Sequence, residues 1–280
     1  MNDKPSSFHK VTDHLNAWKK NISGTWGIWI EDLKTGEKWT WNESLPFVAA
    51  SIIKVPIMVA AYRAFAHGKL RLSDRIGLRR EEMVGGSGVL QHLSYGTEFS
   101  IQDLVTLMII QSDNTATNLL IDRMGKEFIQ ETLLELGMTN TVFTNRLHIV
   151  PADTTNVNRI TAGDMARCFR MLATGRAVSR DACEKMIEIL KKQQWRDCLP
   201  RLLPPPDSTI TGTLPQWEMA HKTGWVSKIL HDTGIFYIGS RSLILVVLSS
   251  GLDHLQAQRE INKIGKWIYD AYAYEILPDV

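Results

Sequence analysis

The sequence of 280 residues predicts an α+β fold: one antiparallel sheet, assembled from both ends of the chain, with helices on each face. Two observations lead there. Strand-like stretches cluster near the termini, while the long middle of the chain has the three-to-four-residue apolar spacing of helices. A lone two-stranded hairpin is marginal in water, so the terminal strands are expected to join into one sheet. The first and last helices then cover one face and the helical block the other. The expected layout is a single domain, 1–280, with an α/β portion from 1–60 and 211–280 and an all-helical portion from 61–210. No internal repeat and no flexible linker interrupts it.

Taken in order, Phe8, Val11, Leu15 and Trp18 recur at spacings of three and four, predicting an amphipathic helix over about 8–21 that Gly24 ends. Thr25 to Glu31 is rich in β-formers, Lys34-Thr35-Gly36 is a turn, and Glu37 to Trp41 alternates as a second strand. After a loop, Asn42 to Pro46, a helix begins at Ser51 and runs to about His67, stopping at Gly68. Leu70 to Gly88 reads as loop and short helix. Its Met83-Val84-Gly85-Gly86-Ser87-Gly88 stretch fails the G-x-S-x-G nucleophile pattern, because position 89 is Val, and it lacks the lysine of a phosphate cradle. It is read as a turn that lets backbone pass closely along a site rim. Ser100 and Asp103 form a capping box, and the helix they open is apolar nearly all round, so it is expected to be buried. Helices follow over about Ala116–Met124 and Lys126–Leu136. Thr139 to Ile160 is long and irregular, and such loops are usually functional or disordered. Thr161 caps a helix to about Thr174, Asp181–Gln193 is another, and the prolines of Leu203–Asp207 break the chain. Met219–Gly224 then reads as a strand ending at its glycine, Thr233–Gly239 and Leu243–Ser249 as a hairpin, and residues 255–273 as a closing amphipathic helix.

Composition narrows the function classes. At 44% hydrophobic and 22% charged residues the chain is neither disordered nor fibrous. A net charge of +2 without long runs of one sign gives no case for a nucleic-acid partner or an anionic membrane. Three widely spaced cysteines, Cys168, Cys183 and Cys198, make neither a disulfide framework nor a zinc site, so no metal is expected and the thiols are read as buried or idle. Residues 1–20 lack the apolar core of a secretory signal, and Leu243–Leu248 is too short to span a bilayer. As written the chain reads as cytoplasmic and monomeric; a mature form with its signal removed would look the same and would be extracytoplasmic.

The chemistry starts from Ala49-Ala50-Ser51-Ile52-Ile53-Lys54-Val55-Pro56. Ser51 and Lys54 stand one helical turn apart, which places their Cβ atoms about 5–6 Å apart on one face. A lysine among aliphatic neighbours is costly to bury, and burial lowers its pKa until it can accept a hydroxyl proton. On this stretch alone a second reading stands beside the first: Ser51 caps the helix and Lys54 snorkels to water. Two further polar signals fall at element boundaries, Ser112-Asp113-Asn114 after the apolar helix and Lys222-Thr223-Gly224 at the return to sheet. Each is weak alone. Their order and separation are specific.

With these three motifs the chain resembles the class A β-lactamases and related penicillin-recognising serine hydrolases, including the D,D-peptidases. The likeness runs from the hairpin near Thr25 to the closing helix and is tightest at FVAASIIKVPIM, SDNTATNLLIDRMG and HKTG. The resemblance implies acyl transfer without a cofactor on a small amide or β-lactam substrate. Ser51 would be the nucleophile, Lys54 would take its proton, and Ser112 would pass a proton to the leaving nitrogen. Asn114, Lys222, Thr223, Gly224 and Trp225 would bind substrate, the last through its backbone N–H, which with that of Ser51 would form the oxyanion hole. Asp113 would order its loop.

Two departures bear on the substrate and on release of the acyl group. The long loop of class A enzymes carries a Glu followed four residues later by Asn. Residues 145–158 here contain no Glu; Asp153 is their one carboxylate, and it lies three residues before Asn156. Asp153 is carried as a candidate deacylation base, against the commoner fate of a solvated or capping Asp, with His148 behind it. The strand after K-T-G also lacks the Arg of many class A members, offering His231-Asp232-Thr233-Gly234 with Lys228 as the nearest base. Three functions therefore compete: a β-lactam hydrolase with slow deacylation, a D,D-peptidase-like or other serine amidase or esterase, and a non-catalytic binder of β-lactams or peptides.

Overall fold

The computed structural model describes residues 6–147, 157–206 and 215–273. The chain opens with helix α1 (Ser7–Lys19), whose first turn is capped by the Ser6 hydroxyl, and whose Phe8, Val11 and Leu15 are buried as their spacing predicts. Strands β1 (Thr25–Asp32) and β2 (Lys38–Trp41) form the expected hairpin. A two-residue strand, β3 (Phe47–Val48), leads into a 3-10 turn (Ala50–Ile53) and helix α2 (Lys54–Ala66). A ribbon of β4 (Arg75–Gly77) and β5 (Glu98–Ser100) precedes helices α3 (Ile101–Ile110), α4 (Asn114–Met124) and α5 (Lys126–Glu135). Then come β6 (Arg159–Ile160), α6 (Ala162–Ala173) and α7 (Arg180–Lys191). The strands β7 (Trp217–Val226), β8 (Ile229–Ile238) and β9 (Arg241–Ser250) form a meander, and α8 (His254–Ala273) ends the described chain.

The sheet order is β2-β1-β9-β8-β7, antiparallel throughout, so the first and last parts of the chain meet at the β1–β9 pair. Alternation along the strands divides the core in two. Leu243, Leu245 and Val247 pack with α1 and α8, while Ile244, Val246 and Leu248 pack with α2, α3 and α6. The layers are those expected from the sequence. α3 carries the capping box of Ser100 and Asp103 and is largely buried.

Two details differ most from expectation. β7 does not stop at Gly224 but continues to Val226 before the turn to β8. The ladder runs on because Trp225 and Val226 pair with Leu230 and Ile229. The middle of the chain holds two short ribbons besides its helices, β3–β6 and β4–β5. Strands of two and three residues are too short to leave a period in the sequence. The three cysteines are buried and free, as expected of idle thiols. No described helix is long and apolar enough to cross a membrane.

Candidate active site

Ser51 lies in the 3-10 turn that leads into α2, and no side chain caps either helix start. Lys54 is 0% exposed. Ser51 is therefore not a helix cap and Lys54 does not reach water, which removes the capping-and-snorkelling alternative for this stretch. The preceding Ala50 has φ +45°, a left-handed conformation uncommon for a residue with a Cβ. Backbone strain of this kind collects at functional sites.

Lys54 Nζ lies 2.6 Å from the Ser112 carbonyl oxygen, 2.8 Å from Asn114 Oδ1 and 3.2 Å from Ser112 Oγ. Burial holds its pKa well below the ordinary lysine value, and the positive charge of Lys222 lowers it further against an opposing pull from Asp113. A neutral amine has two N–H donors and one lone pair. With Ser112 O and Asn114 Oδ1 taking the donors, the lone pair is left for a hydroxyl.

The second motif is built by a chain reversal. α3 ends at Ile110, and Ser112 takes φ +54° so that Asp113 can cap α4. Asp113 Oδ1 accepts from Ala116 N at 2.9 Å, while Oδ2 accepts from Val89 N and Leu90 N at 2.7 and 2.8 Å. Asp113 thus ties the reversal to the glycine-rich turn. Asn114 completes the tie through Gly85 O at 3.1 Å and Ser87 O at 3.0 Å. At Gly88, φ is +108° and a Cβ would lie 2.3 Å from the Asp113 carboxyl, so no other residue fits. This turn borders the site, as its glycines suggested.

The third wall is β7, the outer strand of the sheet. Ala220 packs with the helical block and Met219 with α8, so alternation turns Lys222 and Gly224 toward Ser51. A Cβ on Gly224 would lie 2.9 Å from Ser51 N and 3.0 Å from Ile52 N. That glycine lets the edge strand close on the nucleophile turn. Lys222 is buried and its Nζ donates to Thr223 O at 2.8 Å. Burial pushes its pKa down to about 7, with Asp232 pulling the other way. The Trp225 indole is 57% exposed and meets the His254 ring edge-on at 5.5 Å.

Several groups that hold this site together carry no motif. Gln193 is buried, and its Nε2 donates to Ile109 O at 3.0 Å and His221 O at 3.4 Å. One carboxamide therefore spans from the end of α3, just before Ser112, to the residue before Lys222. His231 is spent on structure: Nε2 lies 2.9 Å from Val48 O, and Nδ1 accepts from Ser249 N at 3.2 Å. This fixes the tautomer and joins the sheet to the strand that enters the Ser51 turn. Lys228 is exposed in the β7–β8 turn. Asn158 gathers both ends of the long irregular segment. Its Oδ1 accepts from Thr144 N at 2.7 Å and Asn145 N at 3.1 Å, and its backbone oxygen accepts from Ala49 N at 2.8 Å. The candidate base Asp153, together with His148 and Asn156, lies outside the described residues.

This fold, with the first two motifs joined through Lys54 and the third closed on Ser51, is that of the penicillin-recognising serine hydrolases. The β-lactamase of Sphaerobacter thermophilus DSM 20745 superposes with a TM-score of 0.86 at 32% identity, over 96% of this chain and 98% of that one. PBP-A shares the fold, with a TM-score of 0.81 at 24% identity over 96% of each chain. Among curated proteins, a β-lactamase of Rhodobacter capsulatus is 27% identical over 175 residues; the match spans 59% of this chain and 57% of that protein's length. A family model described as the β-lactamase enzyme family covers residues 10–272, and the chain belongs to that family.

Proposed function

We propose that this chain is a serine hydrolase that opens β-lactams through an acyl-enzyme on Ser51 and releases the acyl group slowly. The observation that carries the reading is Lys54, stripped of water and held between Ser112 and Asn114 one turn from Ser51. A desolvated, neutral lysine can accept the hydroxyl proton that a nucleophilic serine must lose. Ser51 Oγ then attacks the lactam carbonyl carbon, the C–N bond breaks, and the proton held on Lys54 returns through Ser112 Oγ to the leaving nitrogen. The backbone N–H groups of Ser51 and Trp225 receive the developing oxyanion; such donors contribute on the order of 3–4 kcal/mol each. Asn114 orients Lys54 and the substrate's amide. Lys222 and the Thr223 hydroxyl receive the substrate carboxylate, and Gly224 keeps the strand close.

Release is the slow step, since residues 145–158 hold no Glu to activate water and Asp153 is the carboxylate left to do so. Lacking a positioned general base costs about 10²–10⁴ in rate. The same absence favours a second reading, a D,D-peptidase-like amidase that β-lactams trap as a lasting adduct. In both, a small molecule is the partner and the chain acts as a monomer without cofactor. The test is to mix the protein with a chromogenic β-lactam and follow turnover and intact mass together. Turnover supports the first reading, a long-lived adduct absent from Ser51→Ala supports the second, and the lack of any adduct leaves only a binding role.

A further inference from the structure

Of the nine tryptophans, Trp225 is the most exposed, at 57%. Trp18, Trp26, Trp29, Trp39 and Trp217 spend their indole N–H on acceptors in the protein. The Trp225 indole makes no such bond among the described residues, so the fold does not use it. Yet it is not loose. Its ring meets that of His254, the first residue of α8, with centroids 5.5 Å apart and planes at 69°. Aromatic rings favour this edge-to-face arrangement. The contact sets the tilt of the indole and leaves more than half of the side chain open.

The place of this ring follows from the strand. β7 is the outer strand of the sheet, so its free edge carries no further strand. Lys222 and Gly224 project toward the Ser51 turn, while Met219, Thr223 and Trp225 project from the face that α8 covers. A molecule lying along the free edge, in the plane of the sheet, is flanked from both faces. Lys222 stands on one side of it, and Thr223 and Trp225 on the other, about 6.6 Å apart along the strand. At residues 224 and 225 the edge is bare toward Ser51 and broad on the opposite face.

We propose that the Trp225 side chain is a specificity-determining group: it packs on the part of the substrate that bears the carboxylate and selects acids in which that part is a flat unsaturated or aryl ring. His254 is its positioning residue. The inference deepens the reading of Lys222 and Thr223 as the carboxylate anchor and rests on it. A carboxylate seated on the Thr223 hydroxyl brings the carbon that bears it alongside the next side chain of the same face, the indole. A flat ring there gains from aromatic packing beyond the area it covers, which a tetrahedral carbon carrying methyl groups does not. The role is separate from that of the Trp225 backbone N–H, which every substitution at this position except proline retains.

The test follows acylation against concentration for two β-lactam acids with the same acyl side chain, one with an aryl group beside its carboxylate and one with methyl groups there. Trp225→Ala is expected to raise half-saturation by the aryl acid about 2–10-fold, with the limiting rate and the methyl acid little changed. Trp225→Phe restores most of the loss. His254→Ala moves the aryl acid the same way by less, and His254→Phe, which keeps a ring edge against the indole, restores it. An equal change for both acids in Trp225→Ala, a change in the limiting rate alone, or no change overturns the inference. Both side chains are exposed, so the variants are expected to keep the fold; if Trp225→Ala loses it, Trp225→Leu, apolar but without a ring, takes its place. A probe that cannot acylate separates failure of the acyl-transfer reading. Phenylacetate is expected to quench tryptophan emission in the wild type and not in Trp225→Phe, with acetate inert toward both. Quenching with no β-lactam adduct leaves the ring subsite standing and sinks acyl transfer. No quenching, or quenching that survives in Trp225→Phe, overturns the inference whether or not an adduct forms.

Discussion

Lys54 Nζ and the Ser112 carbonyl oxygen are 2.6 Å apart, and Ser112 Oγ is 3.2 Å from the same nitrogen, whereas no hydrogen bond joins Lys54 to Ser51 Oγ among the described residues. The lysine is therefore held by the second motif, one turn from the serine of the 3-10 turn that leads into its helix. Two walls of the cleft meet on one amine. Replacing that amine should remove proton transfer while leaving much of the packing, so Lys54→Met is the informative change. The rate of Ser51 adduct formation should fall by about 10²–10⁴, read by intact mass; an adduct that forms at the wild-type rate would refute the role of Lys54.

Lys222 is a buried cation without a bonded carboxylate, which is a cost to folding. Its pKa of about 7 lies below the ordinary lysine value of 10.5. The unfolded chain therefore binds more protons between these values, and stability rises as pH climbs from about 7 toward 10.5. Lys222→Met should raise stability at neutral pH and flatten this rise, while binding of a β-lactam acid is lost. Urea unfolding at two pH values measures the first, and adduct formation the second.

His231 gives the opposite limb of the pH profile. Burial pushes it down to about 4 from 6.5, against weaker support from the carbonyl of Val48. Stability from keeping it neutral is complete above about 6.5 and is lost as pH falls toward 4, about 3 kcal/mol in all. Melting temperatures should drop steeply over that window in the wild type and less in His231→Gln. An equal drop in both would show that other groups govern acid unfolding.

Gln193 bridges Ile109 O and His221 O, so it sets how far the Ser112 and Lys222 walls stand apart. Gln193→Ala leaves two buried carbonyls without that donor, at about 1–3 kcal/mol. Because the gap loosens but the nucleophile is untouched, half-saturation by substrate should worsen more than the limiting acylation rate. Acylation measured against substrate concentration separates the two.

Gly224→Ala would bring a Cβ within 2.9 Å of Ser51 N. The strand must then retreat from the turn, and adduct formation should be nearly abolished while the fold survives, as circular dichroism would verify.

The fold was legible in the sequence where the pattern was long. Strand β9, the later part of β8 and the capped helix α3 announce themselves through β-rich apolar runs, apolar period and capping box, whereas the first four residues of β8, Ile229 to Asp232, do not. The ribbons β3–β6 and β4–β5 did not, being shorter than one period of any signal. The same division runs through the site. Ser51, Lys54, Ser112 and Lys222 stand in motifs with fixed local spacing. Gln193 and His231 act across 28 to 183 positions of chain. No spacing rule reaches that far. A polar residue buried within an apolar strand, such as His231, was the one hint available.

Asn158 brings the two ends of the segment from Asn145 onward together and joins them to the strand that leads to Ser51. A stretch of chain closed at its base can change length cheaply, about 0.6 kcal/mol for each doubling. It can be replaced as a cassette while the turn beneath it keeps its geometry. Under the proposed mechanism, bond-making and release of the acyl group would sit on separable pieces of the polypeptide, and exchanging one inserted stretch is a route by which a lineage could pass between a trapped intermediate and a fast hydrolase without rebuilding the nucleophile.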